Sequence, residues 1–251
     1  MTVIAPAPHA PSSRRVTATV RIHLANPWAI IITPWLITAA IFLMNFAIWH
    51  IVLMAVGSRE ITPDAFHYNG GITWLVVYMV VVAVQAMNQT FSFVVGLGAT
   101  RRDYFLGTSL IFVGLAVMFG GGVSLLAGLE RVTDGWGVGG WFFAPGAFAT
   151  MPLWEIAATY ILGLLFMFFV GSAVAAVFVR WGSNGLLIFF AVVALLVVAT
   201  LWGITQANEW RTVSDFVKSR TPLELALTTV PFATLGGLVG YALMRRATPK
   251  G

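Results

Sequence analysis

The stretch 185–204 is apolar almost throughout and contains no charged side chain, and about 20 such residues are what one helical crossing of a bilayer requires. Further runs of this kind lie near 28–55, 71–95, 105–127, 156–179 and 223–243. They are continuous and lack the in-and-out alternation over about ten residues that a membrane β-strand needs. The reading is an all-α integral membrane protein with six transmembrane helices. Composition excludes the main competitors. Of the 251 residues 59% are hydrophobic and 9% charged, against about 25% charged in an ordinary soluble domain. Fourteen basic and nine acidic side chains cannot cover a water-solvated globule of this size, and a disordered chain carries far fewer apolar residues.

Charge placement predicts the topology. Nine Lys and Arg fall on the side of both termini (Arg14, Arg15, Arg21, Arg101, Arg102, Arg180, Arg245, Arg246, Lys250) and five on the other, so the positive-inside rule puts both ends in the cytoplasm. Asp103 is the one acid assigned to the inner side. Seven of the ten Trp lie near the predicted outer ends, as an interfacial aromatic belt requires. The net charge of +5 is thus accounted for by orientation, and no nucleic acid is expected as a partner. The expected organisation is a disordered tail over 1–13 without a cleavable signal peptide, an interfacial helix over 14–27, a six-span domain over 28–243 and a cytoplasmic tail over 244–251. In the interfacial helix Val16, Val20 and Leu24 recur at i, i+4, i+8, with Arg14, Arg15 and Arg21 in the polar remainder. Pro34 predicts a tilt, a kink or an opening turn in the first span. A second short amphipathic helix is expected in the outer loop 205–222, where Trp210, Val213, Phe216 and Val217 share a face. The Gly- and Trp-rich loop 128–155 is expected to dip into the headgroups.

Most chemical motifs are missing. The sequence has no GxxxxGK[ST], HExxH or GxSxG and no cysteine, which removes nucleotide binding through a P-loop, the simplest hydrolase readings and thiolate chemistry. Its four histidines are scattered and no metal site is expected. No Asp, Glu, Lys or Arg lies near the middle of a predicted span, whereas ion-coupled carriers bury such a group. Polar residues do gather in the second span: Gln85, Asn88, Gln89 and Ser92 follow at i, i+3, i+4, i+7, with Tyr78 one heptad earlier. That stripe reads either as interhelical hydrogen bonding or as a translocation path. Gly236, Gly237 and Gly240 contain a GxxxG spacing that lets helices approach closely.

The segment Gly96-Leu97-Gly98-Ala99-Thr100-Arg101-Arg102-Asp103-Tyr104-Phe105-Leu106-Gly107 joins the second and third spans. It resembles the first cytoplasmic loop of type-2 ATP-binding-cassette (ABC) exporter permeases of the small six-span bacterial kind. The run from His23 to Ile37, with Asn26-Pro27-Trp28 and Pro34-Trp35, is similar to the start of the first span in that group. The resemblance implies a non-catalytic permease subunit in the bacterial cytoplasmic membrane. It would pair with a second permease subunit, commonly a copy of itself, and with two cytoplasmic ATPase subunits that hold ATP and Mg. This chain itself would carry no cofactor. Carried over, Gly98, Thr100, Arg101, Arg102, Asp103, Tyr104 and Phe105 form the coupling loop, and Arg14, Arg15 and Arg21 of the interfacial helix make a second contact. Membrane lipid is the remaining partner. The cargo is expected to be hydrophobic or amphipathic. The alternatives are a self-contained channel or secondary carrier and, third, a membrane enzyme or an assembly and anchoring protein.

Overall fold

The computed structural model describes residues 12–57 and 65–246, the side chains of Asn88, Gln89, Ser92 and Arg246 excepted. The expected tail, up to residue 11, and the last five residues of the C-terminal tail lie outside the described residues. All regular structure that is described is helical. Helix α1 spans Ser12–Leu24, and a π-turn over Trp28–Ile32 leads into α2, Thr33–Val56. Pro34 explains that turn, because it has no N–H for the helical ladder and its ring crowds the carbonyl one turn back; the widened turn accommodates both. Of the three outcomes predicted for Pro34, the opening turn is the one found.

Helix α3, Thr73–Gln85, continues through a second π-turn, Ala86–Thr90, into α4, Phe91–Gly96. Helix α5, Arg101–Val132, is the central column. Its inward line of Tyr104, Thr108, Ile111, Leu115, Phe119, Val123 and Ala127 is buried, with Phe112 stacked on Phe168 at 4.6 Å between ring centres. Helix α6 spans Leu153–Gln206 and packs on α3, α5 and α9. Two short helices follow, α7 over Trp210–Lys218 and α8 over Pro222–Thr228, and α9, Val230–Arg246, closes the chain. Thr221 and Glu224 start α8 with a reciprocal capping box. The α7 helix agrees with the expectation for the outer loop.

Among the described residues four helices are long and apolar enough to cross a membrane: Trp28–Val56, Arg101–Val132, Leu153–Gln206 and Pro222–Arg245. Six were expected, and two local features account for the difference. The predicted span 71–95 is divided by its π-turn, leaving Thr73–Gln85 as a shorter apolar helix. The predicted spans 156–179 and 185–204 belong to one assigned helix of 54 residues, interrupted at Gly182 with φ 69° and ψ −160°, a region open in practice to glycine alone. A straight α6 would leave Gln206 about 66 Å from Leu162 at 1.5 Å per residue. Residues 207–229 run almost wholly through helices and hydrogen-bonded turns and reach about 40 Å, yet Val230 lines the same groove as Leu162. The arm after Gly182 therefore bends back. The arm before Gly182 buries Ile156, Tyr160, Leu164 and Phe168, whereas the arm after it exposes Leu187, Ile188, Leu195, Leu196, Val198 and Trp202.

The glycines of α9 set its distance from α6. A Cβ at Gly236 would lie 3.1 Å from the Phe169 carbonyl oxygen and one at Gly240 3.5 Å from Ser172 Oγ, so the close approach expected of this spacing is present.

Candidate functional site

The basic end of the bundle is built from the turn between α4 and α5, the first turns of α5, helix α1 and the end of α9. Gly98 takes φ +89°, which a side-chain-bearing residue rarely adopts. Two residues on, the Thr100 hydroxyl accepts the Asp103 N–H at 3.1 Å, an N-cap that starts α5 at Arg101. Asp103 is buried and accepts from Arg15 Nε at 2.5 Å. One turn along both helices Thr19 meets Gly107, where a Cβ would stand 2.7 Å from the Thr19 Cβ. Next, His23 Nε2 lies 3.0 Å from Thr108 Oγ1. Burial pushes the His23 pKa down to about 4, so the imidazole is neutral at pH 7.

Helix α1 thus presents Arg15, Thr19 and His23 to α5, in step with Asp103, Gly107 and Thr108. The residues that meet α5 are a different set from the apolar line Val16, Val20 and Leu24 expected to lie on the membrane: Thr19 is fully buried while Leu24 is 42% exposed. The acid and the hydroxyl buried on α5 need partners, and α1 supplies them.

The predicted coupling residues divide into two sets. Gly98, Thr100 and Arg102 are exposed, as is the neighbouring Leu97, and Arg101 is half-buried; Arg14 and Arg21 are exposed on α1. Asp103 and Tyr104 are interior. Tyr104 donates its hydroxyl proton to the Ala86 carbonyl and packs edge-on against Phe91 at 5.4 Å, while Phe105 packs against Tyr241 at 5.2 Å. These three hold the loop to the bundle. Arg101 Nη1 donates to the Arg245 carbonyl oxygen at 2.6 Å, placing a cation on the negative end of α9. Leu97, Tyr241 and Arg245 were not selected from the sequence. The Gly-x-Gly flanking Leu97 was the available signal for an exposed turn.

Of the polar stripe of the second span, Tyr78 and Gln85 are described with their side chains. Tyr78 donates to the Ala29 carbonyl at 2.9 Å, which is interhelical bonding. Gln85 lines a cavity of about 310 Å³ together with His23, Asn26 and Thr90. Asn88 and Gln89 fall within the π-turn, so the α-helical spacing that aligned them with Gln85 and Ser92 does not hold there; their side chains and that of Ser92 lie outside the described residues.

The opposite end of the bundle holds a group that the sequence did not single out. Glu130, fully buried at the end of α5, accepts the backbone N–H groups of Phe142 at 2.8 Å, Phe143 at 3.1 Å and Ala144 at 3.0 Å, and the Trp136 indole N–H at 2.8 Å. Tyr160 donates to the Phe143 carbonyl at 3.2 Å, and Arg131 donates to the carbonyls of Phe148 and Met151. Phe42 packs on Trp136, Phe142 and Phe143 at 4.8 to 5.5 Å. The Gly- and Trp-rich loop 128–155 is a compact aromatic cap folded around one carboxylate. Among the described residues no group of three or more His, Asp or Glu could hold a metal ion.

The long apolar helices define the class of the chain, a helical membrane protein. Comparison with protein-family models, curated proteins and solved structures finds no match.

Proposed function

We propose that the chain is the transmembrane permease subunit of an ATP-driven exporter, in which a separate cytoplasmic ATPase powers efflux of a hydrophobic or amphipathic substrate. The observation that carries this reading is the build of the basic end. A short turn exposing Leu97, Gly98, Thr100 and Arg102 is locked to the central helix by the Thr100 cap and to α1 by the Arg15–Asp103 pair. A push on that turn reaches α1 and α5 together, which is what a coupling element must do. In this reading the chain crosses the bilayer six times with both ends cytoplasmic, counting the path 73–96 and each arm of α6 as a crossing. It acts as a dimer, because six helices are few to enclose a path. The ATPase binds ATP with Mg, and closure of its two copies shifts the permease between inward and outward openings.

Co-purification tests the reading. Tagged chain drawn from its native membrane in mild detergent is expected to bring down a cassette ATPase in stoichiometric amount. A clean, ATPase-free preparation in several detergents, with passive or ion-coupled flux after reconstitution, would favour the self-contained channel or carrier and turn attention to the cavity at Gln85.

A further inference from the structure

A groove of about 650 Å³ runs between α5, α6 and α9. Its walls are apolar, with Leu165 and Phe169 on α6 and Ala233 on α9. Its last turn is polar, where Arg102, Tyr241 and Ser109 line it. From Val230 to Tyr241 the α9 wall is twelve residues long, about 16 Å from first to last, which is about half of a 30 Å hydrocarbon core and so one leaflet deep. The rim is lipid-facing in character: Leu106 is 44% and Leu238 62% exposed. The polar end is also the basic end. Arg101 precedes Arg102 and bonds the Arg245 carbonyl, the Arg245 guanidinium lies over the ring of Tyr241 at 5.7 Å, and Asp103, which feels the Arg102 charge, is hydrogen-bonded by Arg15. Among the described residues Arg102 itself has no ion-pair partner.

We infer that this groove is a binding site for one anionic glycerophospholipid of the leaflet that the basic end faces. One acyl chain lies along Leu165, Phe169 and Ala233, and the phosphate meets the Arg102 guanidinium. Basic pockets between membrane helices select anionic head groups in this way. The site does not depend on the exporter reading, because the chain binds the lipid without an ATPase.

The test is native mass spectrometry of the full chain in mild detergent, incubated with equal amounts of phosphatidylglycerol and phosphatidylcholine of the same acyl chains. Wild type is expected to retain one phosphatidylglycerol with a preference of about fivefold or more, the effect of one well-placed arginine near a membrane surface. Arg102→Gln should level that preference while both lipids are still retained. Ala233→Phe, which fills the hollow, should lose the retained lipid. If that variant does not elute at the wild-type position in size exclusion, Leu165→Trp blocks the groove from the other wall. Equal retention of the two lipids by wild type, or an unchanged preference in Arg102→Gln, overturns the inference. So does efficient cross-linking of two chains through Leu238→Cys in bilayers, which would place a second copy over the groove; with no native cysteine, that cross-link is unambiguous. Failure here leaves the co-purification result untouched.

Discussion

The two ends of the bundle are closed by opposite means. At the outer-loop end one buried carboxylate, Glu130, gathers four N–H donors from a single loop, and rings from three segments seal it. At the basic end the closure is between helices: one ion pair, one hydroxyl–imidazole contact and one tight crossing join α1 to α5. Removing the carboxylate would strand several buried donors at once, whereas parting α1 from α5 exposes groups that water can solvate. One end is therefore a loop folded on a buried group and the other a joint between two helices, and the helix joint carries the exposed turn.

The comparison is broken most severely by Glu130→Ala, which leaves buried donors without an acceptor. A loss of about 3 kcal/mol or more is expected, read as a large drop in thermal unfolding temperature in detergent. A variant as stable as wild type would show that the cap does not depend on the carboxylate.

Gly182→Ala comes next. It places a Cβ in backbone that glycine alone tolerates, at about 1–3 kcal/mol, and should lower stability while leaving the cap intact. An unchanged unfolding temperature would mean that the bend at Gly182 is not strained. At the basic end, a double-mutant cycle of Arg15→Gln and Asp103→Asn should give a coupling energy of about 1–2 kcal/mol, as for a charge-assisted hydrogen bond with one partner buried; additive effects would show no direct coupling.

The remaining effect is read against pH. His23 binds a proton less readily in the folded chain, with a pKa of about 4, than in the unfolded chain, at about 6.5. Between those values the unfolded state holds more protons, so its contribution to stability is intact above about pH 6.5 and is lost as pH falls toward 4. Cross-linking between single cysteines placed on α1 and α5 should weaken over that window. His23→Gln should flatten the dependence, and an equal dependence in that variant would assign it to another group.

Much of this fold was legible because lipid imposes a simple demand on sequence, long apolar runs bounded by charge. The apolar segments, the α7 helix, the effect of Pro34 and the close approach at Gly236 follow from local rules. What was not legible depends on contacts distant in sequence. The Arg15–Asp103 pair spans 88 positions, and periodicity, which marked Val16, Val20 and Leu24 as the membrane face of α1, says nothing of which residues meet α5. Glu130 looked like an ordinary loop acid because its partners are backbone groups of residues 142–144, and backbone groups leave no mark in a sequence. The spacing of Gln85, Asn88, Gln89 and Ser92 assumes α-helical geometry throughout, and a sequence does not announce the π-turn that intervenes there.

In the proposed exporter the exposed turn at the basic end engages an ATPase. This engagement is tested most directly by ATPase activity in chain purified from its native membrane, comparing wild type with Arg101→Glu/Arg102→Glu after the turn has been confirmed on its original side, because these charges also set topology. The account predicts ATP hydrolysis that co-elutes with wild type and is lost from the double variant. Equal activity in both, or none in wild type, would contradict it.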